Sequence, residues 1–320
     1  MTLIGYHASH EQFPPSALLA LIQRAEVAGF DCAKSSDHFH PWSERQGQSG
    51  FAWAWLGAAL QASALPFGVI SAPGARYHPA ILAQAAATIG EMFPGRLWLA
   101  LGSGEAINEA ITGQAWPDKQ ERNARLGECV DIIRALLAGE TVTHRGRVQV
   151  VEARLYTRPA APIPIFGAAV TPATAAWVGQ WADGLLTTGG IMQAVRAVVR
   201  AFRDNGGAGK PVHVQHALSW AGSEAEALAN AIDQWGPLCA GGDVNWNLSR
   251  PKDFDRVGRL ADEEAIRRSV AVSADPGRHA AWIADLMALD VAAVHLHCVG
   301  RNQAEFIAFA GEHLLARLRG

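Results

Sequence analysis

Residues 97–106, Leu97-Trp98-Leu99-Ala100-Leu101-Gly102-Ser103-Gly104-Glu105-Ala106, read as three pieces in succession. The apolar run at its start shows no alternation, as expected of a strand buried on both faces of a parallel sheet. Gly-Ser-Gly follows, a turn whose small residues let the backbone come close to another group. Glu105 then sets a carboxylate where the turn hands over to a helix. Strand, polar turn and helix make one βα unit, and the rest of the chain repeats it.

Apolar strand-like runs alternate with helical patterns along the whole length, which argues for βαβ units. Strands are expected at 3–8, 32–36, 66–71, 97–101, 163–166, 184–187, 212–217 and 292–298. Helices are expected at 16–28, 53–64, 79–92, 118–137, 172–181, 193–203, 224–235 and 303–318. Thr171-Pro172 and Asp275-Pro276 are helix-start signals, and Gly29 is a stop signal. Eight such units predict a (β/α)8 TIM barrel, formed by residues 1–320 as one domain, with a doubly wound open sheet as the alternative. The chain is longer than a typical barrel of ~250 residues. The surplus falls in insertions at 39–50, 141–162 and 239–262, of which the first and third lie on the C-terminal rim and are candidate lids.

With 49% hydrophobic and 18% charged residues, the chain can bury a large core. A formal charge of −3 gives no basic footprint, which argues against nucleic acid and against anionic membranes. Cys32, Cys129, Cys239 and Cys298 are far apart and form no CxxC pair, so free thiols in a reducing cytoplasm are expected. The chain enters its first strand with no basic or apolar leader, which fits the same location. Residues 46–75 carry no charged side chain, yet Gln61, Ser63 and Pro66 interrupt the run. A buried helix leading into a buried strand is expected there, not a membrane span.

The turn after the second strand, Ser36-Asp37-His38-Phe39-His40-Pro41-Trp42, is as polar as the one at Glu105. Barrel enzymes carry their catalytic groups at this rim. His38 and His40, with His295 and His297 on the last strand, could ligate a metal. Alternatively, His38 gives a proton or hydrogen bond to a redox cofactor, and Trp42 offers a flat face to a ring. Glu105 is either an acid with a raised pKa or a helix-start charge, and Asn108 either reaches a ring carbonyl or caps a segment. Gly167-Ala168-Ala169-Val170-Thr171, before a capped helix, is a candidate cradle for a phosphate. Arg76-Tyr77 adds a guanidinium and a phenol at the rim.

Several of these pieces run in order across the first 130 residues: Gly5-Tyr6-His7-Ala8-Ser9 with Glu11-Gln12-Phe13, Ser36-Asp37-His38-Phe39 with Pro41-Trp42, Arg76-Tyr77 with Pro79-Ala80, Gly102 with Gly104-Glu105-Ala106, Asn108-Glu109, Thr112-Gly113 and Ala115-Trp116-Pro117. Together they resemble the luciferase-like flavin oxidoreductases, and within them the group of deazaflavin (F420)-dependent glucose-6-phosphate dehydrogenases. The resemblance implies a flavin-type ring at the C-terminal mouth, with His38 and Glu105 as catalytic acid/base groups and Trp42 on the substrate side. It further implies cofactor contacts at Asp37, Ser103 and Asn108, a non-prolyl cis peptide near Val69-Ile70 backing the ring, and a homodimer.

The departures from that group shape the rest. Asn245-Trp246 stands where those dehydrogenases hold a sugar phosphate with lysine and histidine, and no lysine lies between Thr187 and Arg203. A phosphate needs such cations. Glucose 6-phosphate is therefore not expected; a small, largely uncharged substrate is, in a pocket shaped by Trp42 and Trp246. Val170-Thr171 replaces a Gly-Gly pair at the fifth turn, as in a subgroup thought to use FMN. The expectation is an FMN-dependent oxidoreductase of the luciferase-like monooxygenase type, working by hydride transfer or oxygen activation. A flavin reductase or NAD(P)H would supply electrons, and the cofactor phosphate would sit on Gly167, Ala168, Ala169 and Thr171. The alternatives are an F420-dependent dehydrogenase or reductase and a metal-dependent TIM-barrel hydrolase.

Overall fold

The structure is a computed structural model and describes residues 1–319. The barrel strands are β1 (Leu3–Ala8), β2 (Cys32–Ser35), β3 (Phe67–Ser71), β4 (Leu97–Leu101), β5 (Ile165–Ala168), β6 (Gly184–Gly189), β7 (Val212–Ser219) and β8 (Ala293–Cys298). Each pairs in parallel with the next, and β8 returns to β1 in the register Leu3↔Ala293 to Tyr6↔Leu296. The ring is closed, so the open-sheet alternative is excluded. A short strand, Ala271–Val272, adds to the outside of β7.

Local chemistry explains where the elements depart from expectation. β5 begins later than expected because Pro162 and Pro164 cannot donate to a ladder; only the Pro164 carbonyl joins it, accepting from Leu99 N at 2.9 Å. β6 runs on to Gly189 because it stays paired with β7 as far as His216. The insertion at 141–162 contains an antiparallel hairpin, Val142–Arg145 with Gln149–Ala153, too short and too polar to read as strands. Glu128 Oε2 ties it to helix Lys119–Ala138, accepting from His144 Nε2 at 3.0 Å and Arg147 N at 2.7 Å. The cap at Asp275 starts a further helix, Pro276–Met287. The insertion at 239–262 holds two more, Gly242–Asn247 and Pro251–Gly258.

Other expectations hold. Gly29 ends the first helix at φ 94°, a left-handed conformation that glycine adopts without strain. Thr171 Oγ1 accepts from Thr174 N to start helix Pro172–Trp181. The charge-free stretch is helix Ala52–Ala62 running into β3, both largely buried. Among the described residues no helix is long and apolar enough to cross a membrane. All four cysteines are free thiols.

One expectation is corrected. Among the described residues every peptide bond is trans, including those at Val69 and Ile70. β3 stays in regular register with β4 through Val69↔Leu99, Ile70↔Ala100 and Ser71↔Leu101, which leaves no bulge in which the chain could reverse.

Alternation along the strands divides their side chains. Val69, Leu99 and Leu101 face the helices and join the main core. Ile70, Trp98, Ala100, Phe166 and Leu186 pack together in the barrel interior. Gly68 makes room for this filling, because a Cβ there would lie 2.0 Å from the Trp98 ring.

Candidate active site

Past β2 the chain turns through Ser36 and Asp37. The Asp37 carboxylate, fully buried, accepts from Tyr77 Oη at 2.8 Å and Arg76 Nη1 at 3.3 Å on one oxygen, and from Ser71 Oγ at 2.6 Å on the other. Arg76 Nη2 also donates to the Asp37 carbonyl at 2.7 Å. Asp37 therefore locks the ends of β2 and β3 together, and its side chain has no oxygen free of protein donors.

This lock presents His38. Its ring stands between two carboxylates: Nδ1 lies 3.5 Å from Glu11 Oε1 and Nε2 lies 3.6 Å from Glu105 Oε2. Neither contact has hydrogen-bond geometry, and buried Nδ1 is without a partner. Glu11 follows β1 at the same rim, with Oε2 fixed by Ser9 Oγ and Ser36 Oγ, both at 2.8 Å. Burial pushes the Glu11 carboxyl up, but the His38 ring and these hydrogen bonds outweigh it and hold the pKa below the usual value. Glu105 has only the Asn108 amide, at 3.4 Å. Burial raises its pKa, His38 opposes, and the charges of Glu11 and Glu109 add to the rise. Two carboxyl groups with opposite shifts across one imidazole suit opposite ends of a proton transfer.

Glu11 is the residue that sequence reasoning missed as a site group. The signal was present, since Ser9-His10-Glu11-Gln12 is a polar turn after a barrel strand, just as the turns at His38 and Glu105 are. Glu109 was likewise unassigned. It is buried, accepts from Arg76 N at 2.7 Å, and burial raises its pKa against the pull of Arg76.

The two rim insertions meet above His38. The Trp42 ring lies 4.9 Å from the His38 ring and packs edge-on against Phe254 of helix Pro251–Gly258 at 5.3 Å. Glu44 N donates to Asp255, and Trp116 Nε1 donates to Asn247. Trp246, half-buried, lies next to that anchor on helix Gly242–Asn247.

The remaining expected residues fall as follows. Asn108 Oδ1 accepts from Phe39 N at 2.9 Å, and its amide points to Glu105 at 3.4 Å, so it positions the His38 loop. His40 turns away from His38 to bond the Ile107 carbonyl at 2.9 Å. Ser103 Oγ accepts from Lys119 Nζ at 2.8 Å. Ile70 faces the barrel interior, whereas the Val69 side chain belongs to the helix-facing core. At the fifth turn, Gly167 faces helix Pro172–Trp181, where a Cβ would lie 2.4 Å from Val178. Ala169 N is spent on the Leu186 carbonyl, while Ala168 lines the interior close to Gly102. Thr171 caps the helix. Among the described residues no group of three or more His, Cys, Asp or Glu is placed to hold a metal ion.

The profile of the family described as Luciferase-like monooxygenase matches residues 1–292. The chain belongs to that family. Its relatives include the F420-dependent glucose-6-phosphate dehydrogenase of Nakamurella multipartita, 36% identical, with 98% of this chain and 96% of the relative covered. The protein of the same name from Intrasporangium calvum is 35% identical, with both chains covered completely. Among solved structures, an F420-dependent secondary alcohol dehydrogenase in complex with an F420-acetone adduct superimposes with a TM-score of 0.92 at 28% identity, both chains covered in full. The coenzyme F420-dependent tetrahydromethanopterin reductase of Methanopyrus kandleri shares the fold, with a TM-score of 0.79 at 20% identity and 99% of each chain covered. This luciferase-like chain is an enzyme, an oxidoreductase.

Proposed function

We propose that the chain is an F420-dependent dehydrogenase or reductase acting on a small, largely uncharged organic substrate. The observation that carries the reading is His38, held between Glu11 and Glu105 with an unpartnered buried nitrogen, at the rim of a barrel whose interior holds Ile70, Ala100, Phe166 and Leu186. Such an apolar interior suits a flat ring, and the small Gly102 beside Ala168 leaves room at the rim: a Cβ on Gly102 would meet Ala168 only at ordinary contact distance, 3.6 Å. The relatives named for F420 at 35–36% identity support the deazaflavin over the FMN expected from the sequence.

When bound, the deazaflavin supplies a hydride acceptor or donor. The protein's part is proton management. In the oxidising direction His38 takes the substrate hydroxyl proton, and the Glu11 carboxylate steadies the charge that forms on the imidazole. Glu105, kept protonated to higher pH than an ordinary carboxyl, holds a proton on the other side of His38. Trp42 and Phe254 shield the site from water. Replacement of phosphate-binding cations by Asn245 and Trp246 argues against a sugar phosphate, because the Asn245 amide donates to the Leu238 carbonyl instead.

One observation favours a second reading. Val170 stands exposed at the fifth turn, where deazaflavin enzymes have glycine, and this supports FMN with electrons from NAD(P)H or a flavin reductase. A cytoplasmic homodimer belongs to either proposal. The deciding assay mixes the protein with oxidised F420 and a series of small secondary alcohols, and follows loss of the deazaflavin absorbance. Substrate-dependent loss supports the first reading; oxygen uptake with reduced FMN and no F420 turnover supports the second.

A further inference from the structure

The inner wall of the barrel has two halves. β3, β4, β5 and β6 contribute the apolar half described above, whereas β1, β2, β7 and β8 contribute His7, Lys34, His213, Gln215, His295 and His297. Lys34 is completely buried and makes no ion pair with any described carboxylate. Its Nζ lies 2.9 Å from His7 Nδ1 and 2.5 Å from Gln215 Oε1, and Gln215 Nε2 lies 3.0 Å from His297 Nδ1. His213 and His295 form a separate bonded pair.

The polarity of this chain is set by Lys34 in its ammonium form, which prevails on the acidic side of neutrality because burial lowers its pKa to about 7. An ammonium has three N–H donors and no acceptor. His7 Nδ1 must then accept, which places the His7 proton on Nε2. Gln215 must turn its oxygen to Lys34, which aims its amide N–H at His297 Nδ1 and places that ring's proton on Nε2 as well. Both imidazoles are neutral: burial first, then the nearby Lys34 charge, holds each pKa well below the usual value, that of His297 at about 3. The rings stand side by side, centroids 4.2 Å apart and tilted by 58°. His297 Nε2 is buried without a partner, and His7 gives the network only its Nδ1. A buried donor left unpaired keeps its full desolvation penalty, so a group that brings it an acceptor is favoured.

We propose that the Nε2–H groups of His7 and His297, locked as donors by Lys34 and Gln215, form a binding subsite for an sp² oxygen of the substrate, a ketone or carboxylate oxygen. The inference rests on the reading that substrate is held at this barrel mouth. Gln215, the only partly exposed member of the chain Lys34–Gln215–His297, marks the side from which that oxygen enters.

The experiment uses the full-length protein without cofactor, labelled with ¹⁵N-histidine and kept on the acidic side of neutrality, where Lys34 is an ammonium. Nitrogen shifts first report the tautomers; both rings are expected as Nε2–H. Cyclopentanone and sodium acetate are then titrated separately. Saturable movement of the His7 and His297 Nε2 signals supports the subsite, and the molecule that causes it identifies ketone or carboxylate as the class. Lys34→Met, which keeps the packing but removes the donor, is expected to abolish the response. An Nδ1–H tautomer at His297, or fixed signals with both molecules in the wild-type protein, overturns the proposal. Because no cofactor is present, this result stands apart from the F420 assay, and either can fail alone.

Discussion

Glu11 stands behind His38, its Oε1 3.5 Å from an imidazole Nδ1 that has no other partner, while its Oε2 is pinned by two serine hydroxyls. A carboxylate so placed complements the positive charge of a protonated ring. Glu11→Gln keeps the shape and removes the charge. Turnover is expected to fall ~10²–10⁴-fold, the usual worth of a positioned proton-transfer partnership. Unchanged steady-state rates would remove Glu11 from the mechanism.

The depressed pKa of Glu11 also fixes a sign. Its ionised form stabilises the fold above the unfolded value of ~4.3, and this contribution is lost as pH falls through the lower folded value. The acidic limb of the pH–rate profile is therefore expected below the ordinary carboxylate range, and in Glu11→Gln that limb should disappear.

Glu105 titrates the other way. Its folded pKa is raised, so its neutral form persists above the unfolded value, and activity that needs its proton declines as pH climbs through the folded value. Glu105→Gln should flatten this decline in a pH–rate profile and lower the maximum ~10²–10⁴-fold. A limb that survives the substitution would belong to another group.

Asp37 is predicted to be structural first. Asp37→Asn removes the nearer counter-charge of the nearly buried Arg76 guanidinium and leaves it only the Glu109 carboxylate, 3.7 Å from Nε. Breaking a buried pair in this way costs about 3–5 kcal/mol, to be read as a lowered urea midpoint. Loss of turnover at full stability would instead assign Asp37 a direct part in the chemistry.

Gly68→Ala tests the barrel filling. The new methyl would overlap the Trp98 ring, and overpacking of this kind costs about 1–3 kcal/mol. Calorimetric melting of the variant measures it; an unshifted transition would mean that Trp98 has room to move.

The barrel was legible because its strands are buried on both faces, so runs such as Leu97–Leu101 carry the signal without any partner in view. The edges were less so. Prolines at 162 and 164 delayed β5, and the short, half-exposed hairpin at 142–153 had no apolar pattern to read. At the site, the turns bearing His38 and Glu105 announced themselves through polar residues after apolar strands. Glu11 carried the same signal with less company. Which atoms meet was not written in the order of residues: His40 looks equivalent to His38 in sequence, yet it bonds the Ile107 carbonyl, and Asn108 is spent on the loop backbone. The polar wall around Lys34 was least visible, because four strands far apart in sequence each contribute only one or two of its members.

The central claim is tested most directly by binding. The purified chain, titrated in parallel with coenzyme F420 and with FMN, reports each cofactor through quenching of its fluorescence. The account predicts saturable quenching of F420 at far lower protein concentration than FMN, and weaker quenching when Ile70 is replaced by a bulky residue that fills the apolar wall. Tight binding of FMN with none of F420 would contradict it.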